Sequence, residues 1–265
     1  MAKWRICFCT SDLCFFEFFS RLAKRFRKFL RVATVKPFPA LLPDASRASE
    51  ICELPYDVMS TAEAKQMAEG RPCSFLHVSR PEIDLPEGTA TNDPSVYAKA
   101  RENFDRLIAE GALRRDGQAH FYLYRQIMGE HTQLGLVAVA SCAEYDANTI
   151  RKHEFTRPDK EDDRVAHLEV LDAQTGPVFL TYSADAELDA LFDRVAAGEP
   201  DVDFTAPDGV RHTSWTIAAG EDTAFVESRF DGIPNLYIAD GHHRSAAASR
   251  VNQSRSGAGT SDLFL

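Results

Sequence analysis

The chain has 265 residues, 44% of them hydrophobic and 26% charged, which describes an ordinary globular protein of one or two domains with enough length to bury a sizeable core. A formal net charge of -10 speaks against a surface that neutralises phosphates, and so against non-specific nucleic-acid binding. No apolar run reaches the roughly 20 residues of a transmembrane helix, and six dispersed cysteines without zinc-finger spacing fit a reduced, cytoplasmic protein.

Residues 1–31 stand apart, with eight basic residues against Asp12 and Glu17. Phe15, Phe18, Phe19, Leu22, Phe26, Phe29 and Leu30 recur at three- and four-residue intervals, the stripe of an amphipathic helix. Two readings stay open: a helix that contacts a membrane surface or a partner, and translation from a start upstream of the native one, with Val32 as the true first codon.

Four prolines between residues 37 and 55 predict extended chain. Ser60-Thr61-Ala62-Glu63 has the form of a capping box opening a helix over 61–69 that Gly70 ends. Phe75 to Val78 reads as a strand, with His77 as a satisfied strand histidine. Asp93-Pro94 announces a helix over 95–110 closed by Gly111. Phe121 to Met128 reads as a strand whose hairpin partner is Gln133 to Cys142, joined through Gly129-Glu130-His131-Thr132.

Arg151 to Arg164 packs ten charged residues and His153 into fourteen positions. Such a block is either a solvated helical face laced with i,i+4 pairs or a loop that supplies bases and anion grips. Gln174 to Tyr182 predicts a turn and a buried strand, and 185–197 an amphipathic helix. Asp201 to Phe204 and Val210 to Ile217 predict a hairpin around Pro207-Asp208-Gly209.

Leu236 to Ala239 is a short apolar run, Asp240-Gly241 a turn dipeptide, and the alanine-rich stretch after it a helix. A helix start leaves backbone N–H groups unpaired and positively polarised, so Gly241 with Arg244 beside it makes a candidate anion site. His242 and His243 can donate hydrogen bonds or move protons near neutral pH. An Asp-Gly turn with a His-His pair is also a common helix cap, and spacing alone leaves both readings open. Residues 252–265 have the composition of a flexible tail.

The Asp240-Gly241-His242-His243-Arg244 box resembles that of the ParB/sulfiredoxin-like superfamily, whose strand–turn–helix binds nucleotide phosphates and which includes free-serine kinases. Over 32–251 the chain resembles a bacterial family, domain of unknown function 1015. The residues carrying that likeness are Val35 to Leu41, Pro55 to Val58, Arg151 to Glu154, Thr156 to Arg164, Gln174 to Val178 and the Asp240 box. Members of that family typically continue beyond Val251, so the likeness implies a chain shortened at its C-terminus.

The order of strands and helices, with hairpins that exclude an all-parallel sheet, predicts an α+β fold with a mixed, largely antiparallel sheet, and the likeness implies a ParB/sulfiredoxin-like core that includes the Asp240 turn. The implied activity is a nucleotide-dependent phosphotransferase acting on a small hydroxylated molecule with ATP or ADP and Mg²⁺. A non-catalytic nucleotide-sensing or partner-binding module is the alternative from another class, and a ParB-like nuclease a third that the acidic charge disfavours. In the leading reading Gly241, Arg244, Ser245, Arg157 and Lys160 hold phosphate. Glu154 takes the acceptor proton, Asp240, His242 and His243 orient the transfer, and Asp162 and Asp163 hold the metal.

Overall fold

The computed structural model describes residues 33–256 and 258–265, so both readings of segment 1–31 lie outside the described residues. The fold is α+β. Twelve strands lie among the described residues: β1 (Val35–Lys36), β2 (Leu41–Pro43), β3 (Leu113–Arg115), β4 (Phe121–Met128), β5 (His131–Val137), β6 (Val139–Ser141), β7 (Ile150–Arg151), β8 (Phe179–Thr181), β9 (Val202–Thr205), β10 (Arg211–Ile217), β11 (Leu236–Asp240) and β12 (Leu263–Phe264). They form a four-stranded sheet β5-β4-β10-β9, two three-stranded sheets β1-β6-β12 and β7-β11-β8, and the pair β2-β3. Every described ladder is antiparallel except β11 with β7.

The largest core gathers around the four-stranded sheet. Alternation along β10 sends Thr213, Trp215 and Ile217 inward, as a strand with one covered face requires. Phe121, Leu123, Trp215 and Ile217 meet Leu188, Leu191 and Phe192 of helix Ala186–Ala196, Val226 and Phe230 of helix Glu221–Phe230, and Leu236 and Ile238 of β11. A second cluster packs Ala100, Phe104 and Leu107 of helix Pro94–Ala109 against Val78 and Leu171. Among the described residues no helix is long and apolar enough to cross a membrane.

Local signals acted as their chemistry dictates. Ser60 Oγ accepts from the Glu63 N–H at 3.3 Å, and the Glu63 carboxylate accepts from the Ser60 N–H at 2.7 Å, so helix Thr61–Ala68 starts on a complete capping box. Asp93 caps helix Pro94–Ala109 through the Ser95 N–H.

Four expectations require correction. Phe75 to Val78 is not a strand: Leu76–Ser79 is a single helical turn that buries Leu76 and Val78, with His77 Nδ1 2.9 Å from Asp84. The partner of β4 starts at His131, because Met128 pairs with His131 across a two-residue turn, and it ends at Val137 where the chain leaves for another sheet. Strand β8 is not buried: Phe179 and Thr181 are exposed and Leu180 between them half-buried, because the face that carries Phe179 and Thr181 is left uncovered. The segment expected to be a flexible tail folds back, and β12 pairs with β6 and buries Phe264 to 1% exposure.

Candidate functional site

Strand β11 is the middle strand of its sheet, held by β7 on one side and β8 on the other. It ends at Asp240 and delivers the chain into Gly241, whose φ of 95° and ψ of 28° lie in the left-handed region open to glycine at no steric cost. A Cβ there would stand 3.2 Å from the Val178 Cα and 3.3 Å from the Arg244 guanidinium carbon, so space and backbone both demand glycine. Helix His242–Ser254 begins at once and has no side-chain cap. Its 13 residues leave an open, positively polarised N-terminus at the turn.

Arg244 is turned back over this turn. One guanidinium nitrogen donates to an Asp240 carboxylate oxygen at 2.5 Å, and another donates to the Pro177 carbonyl oxygen. Its side chain passes close to a second glycine, where a Cβ at Gly176 would lie 3.3 Å from its Cδ. The side chain is 19% exposed, while that of Asp240 is 73% exposed. Asp240, Arg244, Gly176 and Pro177 border a broad cleft of about 2060 Å³, whose wall also includes Tyr56 and Arg164. That space exceeds the roughly 300–1,000 Å³ of a single small-molecule pocket.

The charged block 151–164 stands beside the turn. Strand β7 runs parallel to β11, pairing Arg151 with Tyr237, so the loop after it emerges at the same sheet end as the Asp240 turn. The Arg157 N–H donates to His243 Nε2 at 3.1 Å, which fixes that nitrogen as an acceptor. His242 Nδ1 lies 3.6 Å from Glu154 Oε2. Burial first, and then the neighbouring His153 ring, hold the His242 imidazole below its ordinary pKa, so it is neutral at pH 7; Glu154 opposes this shift.

The other expected site residues divide. Glu154 is exposed beside His242. Arg157 contributes its backbone, while its guanidinium pairs with Asp159 at 2.7 Å in solvent. Lys160 is exposed on the first turn of helix Pro158–Leu171, and among the described residues no side-chain bond ties it to the turn. Ser245 is fully buried and its hydroxyl donates to the Gly241 carbonyl at 3.2 Å, so it is not presented to a ligand.

The pair expected to hold a metal does not converge. Asp162 pairs with Arg250 at 2.7 Å, whereas Asp163 accepts from the Tyr97 hydroxyl at 2.9 Å and pairs with Arg164 at 2.6 Å. Each carboxylate is already neutralised by its own arginine, and the two join different neighbours. The i,i+1 spacing is the reason, since consecutive residues on a helix do not share a face.

Sequence reasoning passed over His153. Its ring meets that of His242 edge to face, with centroids 4.4 Å apart. The parallel pairing of β7 with β11 brings these residues together, and that pairing has no local sequence signal. Tyr56 was likewise passed over as a contact; its ring lies under the Arg164 guanidinium at 4.1 Å.

Searches of curated proteins and of solved structures return no match. A family model does match, over residues 35–263, and its span takes in the strands, the charged block and the Asp240 turn alike. The chain therefore belongs to the family described as Protein of unknown function (DUF1015).

Proposed function

We propose that this protein is a nucleotide-dependent phosphotransferase that acts on a small hydroxylated molecule. The observation that carries the reading is the juxtaposition of an uncapped helix N-terminus at Gly241, clasped by Arg244, with the Glu154–His242 pair. The first supplies amide donors and a guanidinium for phosphate oxygens. The second supplies a carboxylate to accept a proton from an attacking hydroxyl. The likeness of the Asp240 box to the ParB/sulfiredoxin-like superfamily and its serine kinases supports the same reading.

In the step so catalysed, the acceptor oxygen bonds to the terminal phosphorus of ATP or ADP and its proton passes to Glu154. The bridging P–O bond breaks, and the shortened nucleotide leaves with the electron pair. Transfer of this kind is largely a matter of positioning and charge stabilisation. Arg244 must exchange the Pro177 carbonyl or Asp240 for phosphate, which makes Asp240 the group that holds the guanidinium ready. Mg²⁺ would accompany the nucleotide as its counter-ion, but Asp162 and Asp163, each paired with its own arginine, do not fit as its ligands.

A cytoplasmic setting goes with this reading, supported by the free thiols of Cys52, Cys73 and Cys142. The partners are a nucleotide and a small-molecule acceptor, without nucleic acid; membrane contact rests on residues 1–31 alone. Isothermal titration with ATP and with ADP, each with and without Mg²⁺, tests the proposal. Saturable binding of one nucleotide and phosphorylation within a panel of hydroxyl amino acids are expected. Absence of any nucleotide binding overturns it, and binding without product leaves a sensing module in its place.

A further inference from the structure

Beside the Asp240 turn lies a second arrangement that phosphate binding does not use. His153, Glu154 and His242 each offer one ligand atom, and these atoms all lie within 4.8 Å of one another. His242 is 5% exposed, and its Nε2 is buried with no hydrogen-bond partner among the described residues. The ring's other nitrogen, Nδ1, faces Glu154 and is the one an ion between these residues would bind. The 3.6 Å between His242 Nδ1 and Glu154 Oε2 is long for a hydrogen bond. It is close to the roughly 3.4 Å that separates two ligands on one tetrahedral ion with bonds of about 2.1 Å.

We infer that His153, Glu154 and His242 form a binding site for a divalent transition metal of the zinc class. Two imidazoles and one carboxylate suit borderline metals, whereas Mg²⁺ and Ca²⁺ take oxygen ligands. Three protein ligands leave a coordination position for water or a substrate oxygen, the pattern of zinc sites that do chemistry rather than hold a fold. His153 and Glu154 are exposed on the loop after β7, so an ion can reach the site without unfolding the protein. The inference needs no nucleotide. An ion here engages Glu154 and withdraws it as a free base, so occupancy and phosphotransfer are read separately.

The test is titration of the full chain with Zn²⁺ in the absence of nucleotide, with Co²⁺ absorption as the spectroscopic reporter. One ion per chain is expected, with nitrogen–oxygen cobalt bands. Binding should be lost in His153→Ala and weakened at least about tenfold in Glu154→Gln, since outer contacts alone are worth about 10–100-fold in metal affinity. Both positions are exposed, and circular dichroism checks that the variants keep their fold. No ion bound by the wild type, affinity unchanged in His153→Ala, or a cobalt spectrum of thiolate character alone overturns the inference. Because nucleotide is absent throughout, such a failure leaves the phosphotransferase reading standing, and failure of nucleotide titration leaves this one standing.

Discussion

His167 shows how one buried side chain ties stability to pH. It lies on the inner face of helix Pro158–Leu171, 5% exposed, with Nε2 3.0 Å from the Val78 carbonyl oxygen. A proton shared along that contact must sit on Nε2, so the neutral ring donates to the carbonyl. Burial, and secondarily the Arg164 guanidinium, push its pKa down to about 4. The unfolded chain takes up this proton near pH 6.5 and the folded chain near 4. Between those values the unfolded state binds more protons, so stability falls as pH falls. The contribution is complete above about pH 6.5, and a shift of this size is worth about 3 kcal/mol. Urea denaturation from pH 7 to pH 4 should therefore show a loss that His167→Gln largely removes; an identical pH dependence in the variant would discard the assignment.

At the scale of elements, strand β12 links the end of the described chain to the site. Phe264 packs edge to face with Tyr145 at 6.2 Å and is 1% exposed, while the Leu265 N–H donates to Gln174 Oε1 at 2.7 Å and the Val178 N–H donates to the Leu265 carbonyl. Gln174 and Val178 flank the Gly176-Pro177 segment that holds Arg244. Truncating a buried phenylalanine costs about 3–5 kcal/mol through lost burial and the cavity left behind. Phe264→Ala should lower the denaturation free energy by that amount. A loss under about 1 kcal/mol would mean that the strand does not belong to the core.

This strand was illegible in the sequence for a physical reason. The run Ser254 to Thr260 is polar and glycine-containing, and Leu263-Phe264 is two residues long, too short for any periodicity to register. The same shortness misled at Phe75 to Val78, where four apolar-rich residues fit a strand or a turn of helix equally, and the docking of Leu76 and Val78 decided for helix. What could be read was local chemistry: the Ser60 capping box, Asp93-Pro94, the Pro207-Asp208-Gly209 hairpin and the strand–turn–helix at Asp240. Of the site, the Gly241–Arg244 arrangement was legible because its members are neighbours in sequence. The meeting of His153 with His242 was not, because residues 89 positions apart are brought together by the pairing of β7 with β11, which leaves no local sequence signal.

For the molecule as a whole, the elements that build the site also tie its cores together. Helix Pro158–Leu171 packs on helix His242–Ser254, with Arg250 paired to Glu161 and Asp162, and its Leu171 enters the second core beside Phe104. The turn itself is anchored in the first core through Leu236 and Ile238. A ligand that binds this turn only in the folded state stabilises the folded protein by mass action, about 2.7 kcal/mol at a concentration of 100 times its dissociation constant. For a chain of this size each kcal/mol raises the melting temperature by about 2–4 °C. Saturating nucleotide should therefore raise it by about 5–11 °C. Arg244→Ala removes one charge-assisted contact worth about 1.5–3 kcal/mol, which lowers affinity roughly 10- to 150-fold. The same nucleotide concentration should then stabilise the variant by only about 0.3–1.4 kcal/mol, a shift of no more than about 6 °C. A full shift in Arg244→Ala would show that nucleotide binds away from the Asp240 turn, and no shift in the wild type would show that this turn takes no nucleotide.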